Sequence, residues 1–248
     1  MEAASKIAVS TTHPCALPPC PAWTLAASSI TDACNGSHVG DSRLYPGFLL
    51  AEETESVVVS IHYRLGALAW LGTDSLIGSG DVNRAFLDQQ LALRWAQRNV
   101  AAFGGDPSRL LVFGQSAGGG STAAQLLLQH KYPEEKLFSA AAMESPDTMD
   151  SQGECTFMTK ETAISLTRQF AQQVGCGNLS TPSDERLIAC LQNVSASSFD
   201  SRTPGSHDTF PMIDGMMFDK WPADSFRAGE FADVPIIIGK PRQFNLLQ

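Results

Sequence analysis

The sequence predicts an α/β fold with a mostly parallel sheet, on three observations. Short apolar, β-branched runs recur along the chain, stretches of helical spacing separate them, and one run passes through a glycine-bounded serine straight into a helix.

The first clear run is Glu55 to Tyr63, ESVVVSIHY, stopped by Gly66. A continuous β-branched run without alternation is the pattern of a parallel strand covered by helices on both faces. From Asn83 to Phe103 the spacing becomes helical: Leu87, Leu91 and Trp95 stand four apart, with Arg84, Gln90, Arg94 and Arg98 on other faces. Gly104-Gly105-Asp106-Pro107 ends that helix. Arg109 to Gly114 is a second buried strand, running into Gln115-Ser116-Ala117-Gly118-Gly119-Gly120 and a helix through His130. Leu137 to Met143 and Val234 to Gly239 are two further strands, and helices are expected at Glu161 to Val174 and Asp184 to Gln192.

With 248 residues and 43% hydrophobic content, the chain can bury one sizeable core, and one main domain is expected. A formal charge of −9 excludes a nucleic-acid backbone as partner, because an acidic field repels phosphates. No apolar run approaches the ~20 residues of a membrane-spanning helix. Met1 to Ser29 holds one lysine and no sustained apolar stretch, and Pro14, Pro18, Pro19 and Pro21 interrupt it, so no secretory leader is read there. The cysteines Cys15, Cys20, Cys34, Cys155, Cys176 and Cys190 show no CxxC spacing and no clustering with histidine, so neither a metal nor another cofactor is expected, and disulfide pairing stays open. Three glycosylation sequons begin at Asn35, Asn178 and Asn193.

Gly114-Gln115-Ser116-Ala117-Gly118 fits GxSxG, a turn that lifts a serine hydroxyl out of the end of a strand at the mouth of a helix. The glycines at 114 and 118 keep the turn clear of its neighbours. The helix N-terminus offers backbone N–H groups to a developing oxyanion, Ala117 first among them. On these grounds Ser116 is the candidate nucleophile.

Several phrases, in order, resemble signatures of the type-B carboxylesterases, the family that includes cholinesterases, some lipases and the non-catalytic neuroligins. They are VVVSIHYRLGAL (Val57 to Leu68), LDQQLALRWAQRNVAAFGGDPSRL (Leu87 to Leu110), FGQSAGGGS (Phe113 to Ser121) and FxPMIDG (Phe210 to Gly215). The resemblance implies an α/β-hydrolase fold over residues 38–239, with residues 1–37 unmatched and 240–248 a divergent tail. It implies a small-molecule carboxylic ester as substrate, an acyl-enzyme on Ser116, a disulfide between Cys176 and Cys190, and the secretory route. Many members carry glutamate before the nucleophile, where this chain has Gln115.

The resemblance also marks what is not found. No HGGG oxyanion phrase precedes Gly40-Asp41-Ser42, and Lys240 to Phe244 does not continue into the expected acid-bearing phrase. After Ser116 only His130 and His207 follow; His130 ends the elbow helix about 20 Å from the serine, and His207 stands where the resemblance places a loop. His62 lies in a strand run. The family order puts one more strand inside the sheet, between those matching VVVSIHY and RLLVFG. That strand is expected to be missing, Trp23 to Ile30 being a filler the reading does not favour, and the C-terminal part of the sheet is expected to be missing too. These gaps fit part of a longer ester hydrolase with no appreciable activity of its own. The alternative is a short binding or adhesion module, and a lipase or acyltransferase would use the same elbow.

Overall fold

The computed structural model describes the backbone of residues 7–10 and 24–29 and the whole of residues 47–146, 157–177, 183–199 and 210–239. In chain order the elements are β1 (Ile7–Ser10), β2 (Thr24–Ser29), α1 (Gly47–Thr54), β3 (Val58–Ile61), α2 (Gly66–Trp70), α3 (Asp74–Ser79), α4 (Arg84–Asn99), β4 (Leu110–Gln115), α5 (Ala117–Lys131), β5 (Ala140–Glu144), α6 (Lys160–Gln173), α7 (Asp184–Gln192), α8 (Pro222–Arg227) and β6 (Ile236–Gly239).

The strands form a six-stranded sheet in the order β1-β3-β2-β4-β5-β6. β1 is antiparallel to β3, and the remaining pairs are parallel. The parallel sheet with flanking helices that the sequence predicts is present, and the strands expected at RLLVFG and VPIIIG fall at β4 and β6.

One expectation is corrected here. The interior strand is not missing: Thr24–Ser29 occupies it, with Ala26 in register with Val59 on one side and Val112 on the other. The physical reason is backbone satisfaction. A gap between β3 and β4 would leave two facing rows of N–H and C=O groups unpaired, each costing ~1–3 kcal/mol if buried. Six consecutive β2 residues pair with β4 and close that gap.

Helices cover both faces of the sheet. On one side Phe86, Leu93 and Ala96 of α4 and Leu126 to Leu128 of α5 pack with Leu110, Val112, Ala141 and Met143. On the other, Ala51 of α1 meets Val58, with Leu111 and Phe113 against them. The burying stripe of α4 therefore differs from the one that spacing suggested: Leu91 is 58% exposed, while Gln90 is buried. Asp88, also on the buried side, accepts from the Arg64 backbone N–H at 3.0 Å, from its Nε at 2.8 Å and from its terminal nitrogen at 2.7 Å. That hydrogen bonding raises the Arg64 guanidinium above its ordinary value, against the opposing effect of burial. A fork of three bonds fixes the chain as it leaves β3.

The predicted bridge is present: Cys176, just past α6, is bonded to Cys190 in α7 with Cα atoms 5.8 Å apart. Around it Phe170, Ala171, Leu187 and Leu191 form a separate apolar cluster. Replacing both cysteines by serine is expected to lower stability by about 3 kcal/mol, since a loop of this size is freed in the unfolded chain, measured as the shift of a urea midpoint.

At the other end β6 pairs with β5 and leaves Ile237 73% and Ile238 65% exposed. Among the described residues no strand pairs with the outer side of β6, and an apolar edge of that kind is a template for pairing with another chain. The double change Ile237→Lys, Ile238→Lys is expected to reduce concentration-dependent self-association, read by light scattering.

Candidate active site

β4 ends at Gln115 and α5 begins at Ala117, so Ser116 alone makes the turn between them. Its backbone sits at φ 56, ψ −119, a region that a side chain at Cβ disfavours by roughly 1–3 kcal/mol. The surroundings hold it there. The Ser116 N–H donates to Glu144 O at 2.9 Å, and the Gly120 N–H donates to Ser116 O at 3.0 Å. Thr122 Oγ1 donates to Gly118 O at 2.9 Å.

Gly114 and Gly118 are both buried. A close backbone approach at the turn falls on a glycine that the GxSxG reading did not single out, Gly119. A Cβ there would lie 2.8 Å from Pro146 Cα and 3.3 Å from Gly114 O. The middle glycine of the GGG run lets the first turn of α5 close onto the segment leaving β5.

Buried polar side chains, equally unsignalled by motif, fix α5 beneath the turn. Gln89 of α4 donates to Ser121 Oγ at 3.1 Å and accepts from Gln125 at 3.0 Å. Gln129 accepts from the N–H groups of Leu137 and Phe138 at 2.8 and 3.1 Å and donates back to Phe138 O at 3.1 Å. The turn is anchored to β5 at one end of α5, and the chain entering β5 is anchored at the other. Farther off, the buried Asn83 side chain pairs with both the N–H and the C=O of Met212, each at 2.9 Å, as a neighbouring strand would. Asp214 accepts from the N–H groups of Met216, Met217 and Phe218. The FxPMIDG phrase is thereby a folded clamp against the start of α4.

Ser29, Gln115 and Glu144 share one register level at the carboxyl ends of β2, β4 and β5. Ligands of open α/β sheets bind at that edge. Gln115 is half-buried, and Glu144, one strand away in the same register, is exposed.

The other predicted residues disperse. Ala117 is the first residue of α5, and its N–H has no acceptor within the helix. His130 is exposed at the far end of α5, about 20 Å along the axis. His62 follows β3 directly, and β2 stands between β3 and β4, which separates their backbones by about 10 Å. Asn193 is exposed at the C-terminal end of α7. Asn35, Asn178, His207 and the tail 240–248 lie outside the described residues. Among the described residues no three metal-ligating side chains come together.

With a strained serine at a helix mouth on the carboxyl edge of a parallel sheet, the chain can be set beside known proteins. A profile of the carboxylesterase family matches residues 34–244. Cholinesterase 1 of Branchiostoma lanceolatum is 34% identical over 234 residues, covering 89% of this chain and 63% of its own length. Para-nitrobenzyl esterase of Bacillus subtilis is 34% identical over 219 residues, covering 84% of this chain and 41% of that protein. Lipase 1 of Geotrichum candidum is 32% identical over 220 residues, covering 81% and 38%. The chain belongs to the carboxylesterase family. It spans between 38% and 63% of the length of these three relatives, and β2 precedes the matched stretch.

Proposed function

We propose that this chain carries the nucleophile of a carboxylic ester hydrolase, with Ser116 as the attacking residue and a small-molecule carboxylic ester as substrate. The observation that carries the reading is Ser116 at φ 56 between β4 and α5, a strain that a purely structural turn could relieve with glycine. Ser116 Oγ adds to the ester carbonyl carbon, and the negative charge that forms on the carbonyl oxygen meets the Ala117 N–H at the start of α5. Collapse expels the alcohol and leaves an acyl-serine, which water then cleaves. No cofactor enters these steps.

The serine proton needs an acceptor, and neither His62 nor His130 stands where it could take it. The residues completing the triad and the oxyanion hole are therefore assigned outside the described part, and the 248 residues by themselves are read as lacking appreciable turnover. The carboxylesterase unit is taken as residues 38–239 with β2 contributed from ahead of it. The Cys176–Cys190 bridge supports the secretory route, since such bonds persist in oxidising compartments.

The test is selective trapping. Within the longer native protein, where a base is supplied, the folded chain should acquire a fluorophosphonate adduct at Ser116 that it does not form in urea. An adduct scattered over many serines of the folded chain would count against the elbow's role.

A further inference from the structure

We propose that Asn193 is an N-glycan acceptor, so that the end of α7 carries a covalently attached oligosaccharide. The inference rests on the secretory-route reading above and goes beyond it by assigning the site. Asn193-Val194-Ser195 is a complete sequon, and the fold presents it in the orientation a glycan needs. Asn193 and Ser195 are exposed, while Val194 between them turns inward against the cluster holding Leu187 and Leu191. The valine anchors the backbone, and the two residues that define the acceptor face water.

The local bonding tolerates the modification. Asn193 Nδ2 donates to Ala189 O at 2.8 Å on the exposed side of the helix. Glycosylation joins Nδ2 to the anomeric carbon of a pyrophosphate-linked oligosaccharide; the lipid pyrophosphate leaves with the bonding electron pair, and Nδ2 gives up one of its two protons. The remaining N–H can keep the bond to Ala189. Ser195 Oγ lies 2.9 Å from Ser197 Oγ, both exposed, so the hydroxyl that the sequon requires is not committed to the core. A second observation is independent of the tripeptide. Cys190, three positions earlier on the same helix, is disulfide-bonded to Cys176, which calls for the same oxidising lumen in which glycan transfer occurs.

The experiment is translation of the full chain behind a cleavable secretory leader in the presence of microsomes, followed by peptide N-glycosidase in heavy-oxygen water and peptide mass spectrometry. The expected result is conversion of Asn193 to oxygen-18-labelled aspartate, and one fewer glycan increment on a gel for either Asn193→Gln or Ser195→Ala. Two variants guard against a folding defect in one. An unmodified Asn193 peptide from lumenal, protease-protected chain overturns the assignment. Protease protection of the leader-bearing chain is read first, so a failure of translocation and a failure of the site are read separately.

Discussion

Purified as these 248 residues, the protein is expected to hydrolyse p-nitrophenyl esters no faster than its own Ser116→Ala variant. The physical ground is the proton. A serine hydroxyl at its free pKa is a weak nucleophile, and an adjacent imidazole, oriented by a carboxylate, makes it a strong one. Of the two described histidines, His130 is a helix length away and His62 lies beyond β2. Loss of a serine triad lowers turnover on the order of a million-fold, which leaves what the oxyanion donors and binding supply. Ser116-dependent turnover within a few hundred-fold of a complete esterase would mean that the base lies among these residues and that the assignment is wrong.

The second large effect concerns β2. Ala26→Pro is expected to abolish cooperative folding. Ala26 pairs with Val59 on one side and Val112 on the other, at the centre of the sheet. Proline there removes a ladder donor and places its ring against a neighbouring strand, which central strands do not tolerate. The lost bond, its orphaned buried partner and the clash together cost on the order of 3 kcal/mol or more, a large share of the 5–15 kcal/mol that typically holds a domain. An unchanged urea midpoint would show that Thr24–Ser29 is not the strand that closes the sheet.

The two predictions mark the limits of what the residues announce. β3, β4 and β6 are legible because VVVSI, LLVF and IIIG are apolar or β-branched runs next to turn signals. β2 is hard to favour from sequence even as a filler of the gap, because TLAASS has one threonine and no valine or isoleucine, so intrinsic preference hardly marks it as a strand. Pairing on both sides makes it one, and that information sits in β3 and β4. The burying face of α4 departs from the spacing for a related reason: Gln90, placed on an outer face, is buried, its neighbour Gln89 meets Ser121 and Gln125 inside, and the apolar Leu91 faces out.

The turn at Ser116 was legible because glycine, serine and glycine at fixed offsets leave the chain few other ways to pass from a strand into a helix. The bridge partners Cys176 and Cys190 came from resemblance, and the fold then brought their Cα atoms to 5.8 Å. Gly119 was not legible, since its constraint is Pro146, 27 positions along the chain. Contacts made across such separations carry no local signature.

The most direct measurement is on the native source: treat an extract with a fluorophosphonate probe, identify the labelled peptide containing Ser116 by mass spectrometry, and read the mass of the protein bearing it. The account predicts an adduct on Ser116 in a species well above the 26.6 kDa of these residues, because the proposal assigns the base beyond them and neither described histidine reaches the serine. An adduct on a species of 26.6 kDa, or no adduct on Ser116 while other serine hydrolases in the extract are labelled, would contradict it.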